Sequence, residues 1–155
     1  MKQTTLCYIL RDGHVLLAMK KRGVGVGKWN GPGGKLIPGE TAEEVCIRET
    51  MEEVGIALKS LERRGTITFH YSAHPEAESE CAIFVSTDFE GEAVESEEMR
   101  PKWFPLSEIP LKEMWPDDEI WLEGVLNGGT VDATFWFDGE QKIVKYELRG
   151  ESESP

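Results

Sequence analysis

The sequence is short of positive charge, because 17 lysines and arginines stand against 29 aspartates and glutamates and the formal net charge is −12. Nucleic acid polymers and acidic membrane surfaces are bound through basic patches, so we expect this chain to bind neither. A free polyphosphate should be repelled as well, unless a divalent metal ion bridges it to the acidic side chains. The charge therefore favours a metal–nucleotide ligand over a polymer.

Long apolar runs and paired cysteines are also missing. No stretch approaches the roughly 20 apolar residues that a membrane-spanning helix needs, and the N-terminal MKQTTLCYIL lacks a small-residue cleavage site and is typical of a strand. Cys7, Cys46 and Cys81 are odd in number, widely spaced and without a C-x-x-C motif. They predict reduced core thiols in a cytoplasmic protein.

The length of 155 residues fits one domain, which we assign to residues 1–150, and we expect 151–155 to be a disordered tail. Turn signals such as Asp12-Gly13 separate short β-rich runs and indicate antiparallel hairpins. One helix is predicted to begin near Ala42, and another to run from Asp117 or Asp118 to about Leu126. Mixed strands and helices indicate an α+β or mixed α/β class.

A glycine-rich loop leads into the first of these helices. Gly33 and Gly34 allow the backbone to turn freely and to approach a ligand closely. Thr41 and Glu44 form a capping-box signature that predicts the start of the helix, and Gly55 predicts its end.

The first helix carries a cluster of carboxylates. Glu49, Glu52 and Glu53 stand at i, i+3 and i+4, so they share one face and repel each other unless a cation lies among them. Clustered oxygen ligands suit Mg²⁺, with Mn²⁺ as an alternative, and Arg48 is spaced to brace one carboxylate. A solvated charged face is the competing interpretation, but such a face normally interleaves basic residues, and this one does not. The residues expected to point into the core are Ile47, Thr50, Met51 and Val54.

A second group of residues indicates a purine pocket. Trp115 offers a flat stacking surface, and one member of the adjacent Asp117–Asp118 pair is expected to have a raised pKa. One aspartate then accepts a hydrogen bond while the other donates one, which distinguishes oxidised purines by their altered edge. The competing interpretation is that either aspartate only caps a helix.

A basic loop lies before the glycine-rich loop, and its cations are Lys20, Lys21, Arg22 and Lys28. This concentration of positive charge suggests phosphate contact, although a solvated loop fits equally well.

The glycine loop and the acidic helix together resemble the signature of the Nudix hydrolase family, G-x5-E-x7-R-E-U-x-E-E-x-G-U, in which U is bulky and apolar. The matching residues are Gly34, Glu40, Arg48, Glu49, Glu52, Glu53, Gly55 and Ile56, and Thr50 departs from the first U. The resemblance implies an α/β/α sandwich around a mixed sheet and a Mg²⁺-dependent pyrophosphohydrolase. The metal ligands it implies are Glu49, Glu52, Glu53 and the Gly33 carbonyl. Glu53 is the expected catalytic base and Glu52 the second choice, with Arg48 in the catalytic set.

Further motifs are similar to the MutT-homologue branch of that family, the oxidised purine nucleoside triphosphatases. They are Lys20–Gly23, Gly27–Gly31, Glu97–Pro101 and Met114–Asp118. The likeness implies that Glu98 lies near the metals. It implies a substrate-binding set of Thr5, Lys20, Asn30, Gly34, Lys35, Trp115, Asp117 and Asp118, in which Lys20 neutralises phosphate oxygens. Val24 and Ser79 depart from the branch, which can carry an aromatic residue and a methionine there, so base selectivity is left open.

The expected reaction converts an oxidised purine nucleoside triphosphate, such as 8-oxo-dGTP or 2-hydroxy-dATP, to the monophosphate and pyrophosphate. It is a nucleotide-pool sanitation activity, carried out by a monomer or a homodimer. The alternatives are another Nudix substrate, such as ADP-ribose or a dinucleoside polyphosphate, and a catalytically silent nucleotide-sensing module. This chain carries the complete set of acidic residues of the signature. A sensor does not need them, which argues against a catalytically silent module.

Overall fold

The computed structural model describes residues 1–150, so the tail predicted at 151–155 lies outside the described residues. The strands are Lys2–Arg11 (β1), His14–Lys20 (β2), Trp29–Asn30 (β3), Ala57–Leu58 (β4), Glu62–Tyr71 (β5), Ser79–Ser86 (β6), Phe89–Glu90 (β7), Met99–Pro105 (β8), Val131–Phe137 (β9) and Ile143–Leu148 (β10). The α-helices are Ala42–Val54 (α1) and Asp118–Leu126 (α2), and short 3₁₀ turns lie at Pro75–Ala77, Leu106–Glu108 and Leu111–Glu113.

Eight strands form one mixed sheet in the order β10-β9-β5-β6-β1-β2-β3, with β8 also paired to β2. The β1–β6 and β5–β9 pairs are parallel, and the other pairs are antiparallel. The β1–β2 hairpin turns at Asp12 and Gly13, whose φ angles are 52° and 75°, as the Asp-Gly signal predicts. β4 and β7 form a separate two-stranded sheet.

A gap between β1 and β2 positions the functional site. The paired residues of β1 and β2 extend only from Ile9–Leu16 to the turn, and beyond them β2 pairs with the short strand β3. The free edge of β1 pairs instead with the glycine loop, because Thr5 N donates to Gly34 O and Cys7 N donates to Pro32 O, both at 2.8 Å. The loop is thereby held beside β1 at the open end of the hairpin.

The two faces of the sheet are covered by different helices. Side chains alternate along β1, so Cys7 and Ile9 pack into the cluster that includes Cys46 of α1, whereas Tyr8 packs into the cluster that includes Trp121 of α2. One helix on each face of a mixed sheet is the α/β/α sandwich expected from the sequence.

The capping residues fix both ends of α1. Thr41 Oγ1 accepts a hydrogen bond from Glu44 N at 3.1 Å, and Glu44 Oε1 accepts one from Thr41 N at 2.9 Å. Gly55 adopts the left-handed conformation with a φ of 76°, and its N–H donates to the Met51 carbonyl. The predicted start and end of this helix are both confirmed.

Of the four α1 residues expected to face the core, two are buried and two are not. Thr50 and Val54 are buried as predicted, but Ile47 is 42 % exposed and Met51 is 46 % exposed. The helix packs by the face that carries Cys46, and Glu53 lies on that inner side. Because the acidic face is the one turned towards β1 and the glycine loop, the apolar residues opposite it are left at the surface.

No helix within residues 1–150 is long and apolar enough to cross a membrane. Cys7, Cys46 and Cys81 are buried free thiols, in agreement with the prediction of reduced core cysteines.

Candidate active site

The glycine loop touches both β1 and α1. A Cβ atom at Gly33 would overlap the Thr5 carbonyl oxygen, and one at Gly34 would lie 2.5 Å from the carboxyl carbon of Glu49. Gly33 N donates a hydrogen bond of 3.2 Å to Glu53 Oε1. Glycine at position 33 therefore lets the loop lie directly against β1, and glycine at position 34 leaves room for the Glu49 side chain of the acidic helix.

The carboxylates of α1 are organised by one arginine. The Arg48 guanidinium donates two hydrogen bonds of 2.8 Å to Glu40 and one of 2.8 Å to Glu49, and it lies 3.6 Å from Glu52. The sequence predicted that Arg48 braces one carboxylate, whereas the structure gives it three acidic neighbours. These contacts orient Glu49 and relieve part of the repulsion within the cluster.

Glu53 is the buried member of the cluster, with 8 % of its surface exposed. The pKa of Glu53 is raised to about 8, chiefly by burial and also by the neighbouring Glu49, while the Gly33 N–H and Lys20 oppose the shift. Two adjacent carboxylates that share a buried site favour a bound cation. The donors here are all oxygens, which fits Mg²⁺ or Mn²⁺.

The carboxylates do not converge on one point in this arrangement. Within residues 1–150, no three histidine, cysteine, aspartate or glutamate side chains are close enough together to form a ready-made metal site. Arg48 lies between Glu49 and Glu52. Glu98 lies 3.5 Å from Arg22 and does not line the cavity described below, so its metal-binding role stays a prediction.

A cavity of about 310 Å³ opens beside this cluster. All eight residues predicted to bind substrate line it: Thr5, Lys20, Asn30, Gly34, Lys35, Trp115, Asp117 and Asp118. Gly33 and Glu53 also line it, so the cavity joins the acidic helix to the aspartate pair. Val24 and Ser79, the two departures from the MutT-homologue pattern, lie on its wall as well.

The aspartate pair is buried, and neither member forms an ion pair with a basic side chain of residues 1–150. Asp117 is 2 % exposed and Asp118 is 3 % exposed. Asp117 Oδ2 accepts a hydrogen bond of 2.8 Å from Trp121 Nε1, whereas Asp117 Oδ1 and Asp118 Oδ2 have no hydrogen-bond partner within the described residues. Buried polar atoms are nearly always paired, so two carboxylate oxygens that line a cavity without a protein partner are suited to bind a polar ligand.

Burial also changes the protonation of this pair. It raises the pKa of Asp117 to about 6, and burial followed by repulsion from Asp117 raises the pKa of Asp118 well above its ordinary value. Near neutral pH the pair therefore holds a proton and presents both a donor and an acceptor. Asp117 occupies the N-cap position of α2 but makes no side-chain capping bond, so the helix-cap interpretation is wrong for the pair.

Asn30 and Trp115 complete the pocket around the aspartates. Asn30 Oδ1 accepts hydrogen bonds from Tyr8 Oη at 3.2 Å and from Gly31 N at 2.9 Å, which leaves the amide nitrogen free to donate. The Trp115 ring is half-buried and lies edge-on to Tyr71, with ring centroids 6.0 Å apart. An amide donor, a flat aromatic face and a protonated carboxyl pair suit a purine base.

The cations of the basic loop separate into two groups. Lys21 pairs with Glu95, and Arg22 lies 3.5 Å from Glu98, so both are used to hold the acidic segment after β7. Lys20 lines the cavity, and the Lys28 ammonium lies 5.5 Å from the Trp115 ring centroid. Phosphate contact by this loop stays a prediction, and the positions of Lys20 and Lys28 favour it more than those of Lys21 and Arg22 do.

Several cavity residues were not predicted from the sequence. They are Thr4, Leu6, Gly31, Phe69, Tyr71, Cys81 and Met99. Most lie on β1, β5 and β6, which are neighbours in the sheet but far apart in the chain. The alternation of apolar and polar side chains along each strand predicts which side chains point inwards. Only the order of the strands in the sheet shows that these side chains together form the floor of the cavity.

The fold and the site define a family. The NUDIX domain profile matches residues 1–125, so the chain belongs to the Nudix hydrolase family. Such enzymes generally need a divalent metal ion, in keeping with the oxygen donors described above.

Relatives narrow this assignment. The chain is 42 % identical over 147 residues to the oxidized purine nucleoside triphosphate hydrolase of Danio rerio, with 95 % of this chain and 94 % of the relative covered. It is 42 % identical over 145 residues to the enzyme of the same name from Mus musculus, with 94 % and 92 % covered. The crystal structure of a MutT protein from Bacillus halodurans superposes with a TM-score of 0.84 at 29 % identity, covering 96 % of this chain and 97 % of that one. The resemblance to the MutT-homologue branch is confirmed.

Proposed function

We propose that this protein hydrolyses oxidised purine nucleoside triphosphates to the monophosphate and pyrophosphate and thereby removes them from the nucleotide pool. One observation carries the proposal: a single cavity joins the acidic helix, through Glu53, to the buried Asp117–Asp118 pair. A nucleotide placed there has its base at the aspartates and its phosphates at the carboxylate cluster. The relatives in zebrafish and mouse, which are named for this activity, support the same assignment.

The aspartate pair supplies base selectivity in this proposal. Oxidation changes which atoms of a purine edge donate and which accept hydrogen bonds. Asp117 Oδ1 and Asp118 Oδ2 are free to pair with that edge, and the proton shared by the two carboxyls supplies the donor. A buried polar group that is left unpaired is costly, so a purine with the wrong pattern binds less well. We expect 8-oxo-dGTP to be the preferred substrate and 2-hydroxy-dATP to follow closely.

The acidic helix supplies the phosphate end. The residues that would hold the metal are Glu49, Glu52, Glu53 and the Gly33 carbonyl, with Mg²⁺ the expected ion and Mn²⁺ an alternative. When bound, the ion would supply positive charge beside the polyphosphate and would activate a water molecule for attack on phosphorus. Arg48 orients Glu49 through the hydrogen bond described above. Lys20, at the cavity wall, is available to phosphate oxygens.

Glu53 is our assignment for the catalytic base, and Glu52 is the alternative. Glu53 lines the cavity and is fixed by the Gly33 N–H, whereas the Glu52 side chain is 59 % exposed. A base must be held within reach of the attacking water, which favours the better-ordered carboxylate.

The experiment that tests the proposal is a substrate panel with Mg²⁺. It contains 8-oxo-dGTP, 2-hydroxy-dATP, dGTP, dATP, ADP-ribose and a dinucleoside polyphosphate, and chromatography identifies the products. We expect the oxidised purine triphosphates to be turned over with the highest kcat/KM and to release pyrophosphate. A preference for ADP-ribose or the dinucleoside polyphosphate would replace the proposed substrate, and binding without any turnover would indicate a sensor.

We also propose that residues 1–150 act as one domain in the cytoplasm. The three buried thiols support a reducing compartment. Cell fractionation tests the location, and light scattering of the purified protein distinguishes the monomer from the homodimer that the sequence left open.

A further inference from the structure

A second cavity of about 680 Å³ opens from the mouth of the nucleotide pocket. The two cavities share part of their walls, including Thr4, Val24, Ser79 and Trp115. The outer cavity is lined by four lysines, which are Lys2, Lys20, Lys28 and Lys35, and we call it the lysine groove.

The lysines of the groove differ from most other basic residues in their ion pairing, although Lys20 acts on the nearby Glu53 carboxylate. None of them forms an ion pair within residues 1–150, whereas nine of the other lysines and arginines do. Asp138 and Glu76 also line the groove, but neither forms an ion pair with these lysines within residues 1–150, and the four lysines outnumber the two acids. A chain of net charge −12 that keeps four free lysines around one groove has a local site for an anion.

The position of the groove indicates which part of a nucleotide it meets. Asn30 and the aspartate pair line only the inner cavity, and so do Gly33 and Glu53. The groove therefore excludes both the aspartate pair and the acidic helix, and it meets the inner cavity along a shared wall that includes Lys20 and Trp115. A nucleotide extends in three directions from its sugar, which are the base, the 5′ phosphate chain and the 2′/3′ edge. The third direction is the one that remains for the groove.

We propose that the lysine groove binds a phosphate carried on the 2′/3′ edge of the sugar, so that purine nucleotides phosphorylated there are also ligands. This inference rests on the proposed function for the placement of base and 5′ phosphates. The phosphate is either a terminal monoester or the diester that links the next nucleotide of a short oligonucleotide. Both present the same anionic oxygens to the lysines.

Calorimetric titration of the intact protein tests this inference. The ligands are the 5′-monophosphate of 8-oxo-deoxyguanosine, its 3′,5′-bisphosphate, and the dinucleotide in which the 3′-phosphate is esterified. We expect the bisphosphate to bind about tenfold more tightly than the monophosphate at low salt, and the advantage to shrink as salt is added, as for charges at a partly exposed surface.

Two groove variants identify the source of the advantage. Lys2→Gln and Lys28→Gln should each reduce the bisphosphate-to-monophosphate affinity ratio roughly threefold, by the loss of one screened charge interaction. Using the ratio removes any effect of Lys28 on base stacking through Trp115. Lys112→Gln is the matched control, because Lys112 is an exposed lysine outside both cavities and should leave the ratio unchanged.

The outcomes separate the two proposals. Equal affinities for the bisphosphate and the monophosphate would refute phosphate binding in the lysine groove. An affinity ratio that neither groove variant alters would refute it as well. If the monophosphate does not bind and 8-oxo-dGTP is not hydrolysed, the proposed function itself has failed. If the dinucleotide also binds more tightly than the monophosphate, the lysine groove accepts a phosphodiester. If only the bisphosphate binds more tightly, the lysine groove accepts a terminal phosphate monoester.

Discussion

Replacing Asp118 by asparagine should stabilise the protein at alkaline pH while it impairs base recognition. Asp118 is buried beside Asp117, one of its oxygens has no partner within the described residues, and no basic side chain lowers its pKa. Asparagine keeps the size of the side chain and removes the ionisation. Two buried carboxyl groups lower the stability of the fold when they ionise. Such destabilising groups are typical of binding sites, where function requires them.

The sign and size of the effect follow from the pKa shifts. A carboxyl group with a raised folded-state pKa binds its proton more tightly in the folded chain than in the unfolded one. Its stabilising contribution is therefore complete below the unfolded pKa and is lost as pH rises through the folded pKa. For Asp117 the shift from 3.8 to about 6 corresponds to about 3 kcal/mol lost across that interval. Asp118, whose pKa is also raised, extends the loss to higher pH.

Urea unfolding at pH 5 and pH 8 measures the prediction. From pH 5 to pH 8 the stability of Asp118→Asn should rise by about 2 kcal/mol relative to the parent, since one buried ionisation is removed; pH 5 already lies above the unfolded pKa, so part of the gain is present there. Asp88→Asn makes the same chemical change at an exposed position and should show no pH-dependent difference. If Asp118→Asn differs from the parent by the same amount at both pH values, the pair does not carry the ionisation cost described here.

Three further predictions concern the metal end of the cavity. Removal of divalent ions with EDTA should abolish turnover, and Mg²⁺ or Mn²⁺ should restore it; full activity in EDTA would exclude the metal mechanism. Glu53→Gln should lower kcat by about 10²-fold or more, the size of a general-base effect, whereas near-normal kcat at saturating Mg²⁺ would remove Glu53 from that role. Gly33→Ala should cost about 3 kcal/mol in urea unfolding, because its methyl group overlaps the Thr5 carbonyl oxygen. Gly124→Ala, on α2 with no atom within 4 Å of the added carbon, should be neutral or stabilising, and equal losses in the two variants would refute the packing argument.

Local signals in the sequence predicted what depends on local chemistry. The ends of α1 are set by Thr41, Glu44 and Gly55, three residues whose capping interactions involve only their own helix. The aspartate pair was identified from its likeness to the MutT-homologue branch and from the hydrogen-bonding capacity of adjacent carboxylates beside a tryptophan, and the structure adds their burial and their oxygens without a partner in the described residues.

Features that depend on strand order were not predicted. Phe69 and Tyr71 reach the cavity floor only because β5 lies two strands from β1, with β6 between them, an order that no local signal encodes. Ile47 and Met51 are the apolar side of α1 in the sequence, yet the requirement that Glu53 meet Gly33 turns the other side inwards. The pairing of Arg22 with the acidic segment likewise follows from tertiary structure.

The central claim is that the buried aspartate pair selects oxidised purines, and the ratio of kcat/KM for 8-oxo-dGTP to that for dGTP tests it most directly. The ratio is measured with Mg²⁺ in the parent, in Asp117→Asn and in Asp118→Asn. The account predicts a clear preference for 8-oxo-dGTP in the parent that falls roughly ten- to a hundredfold in each variant, mainly through KM, because an unmatched buried polar pair costs about 1–3 kcal/mol. A ratio near one in the parent, or a preference that neither substitution changes, would contradict the claim.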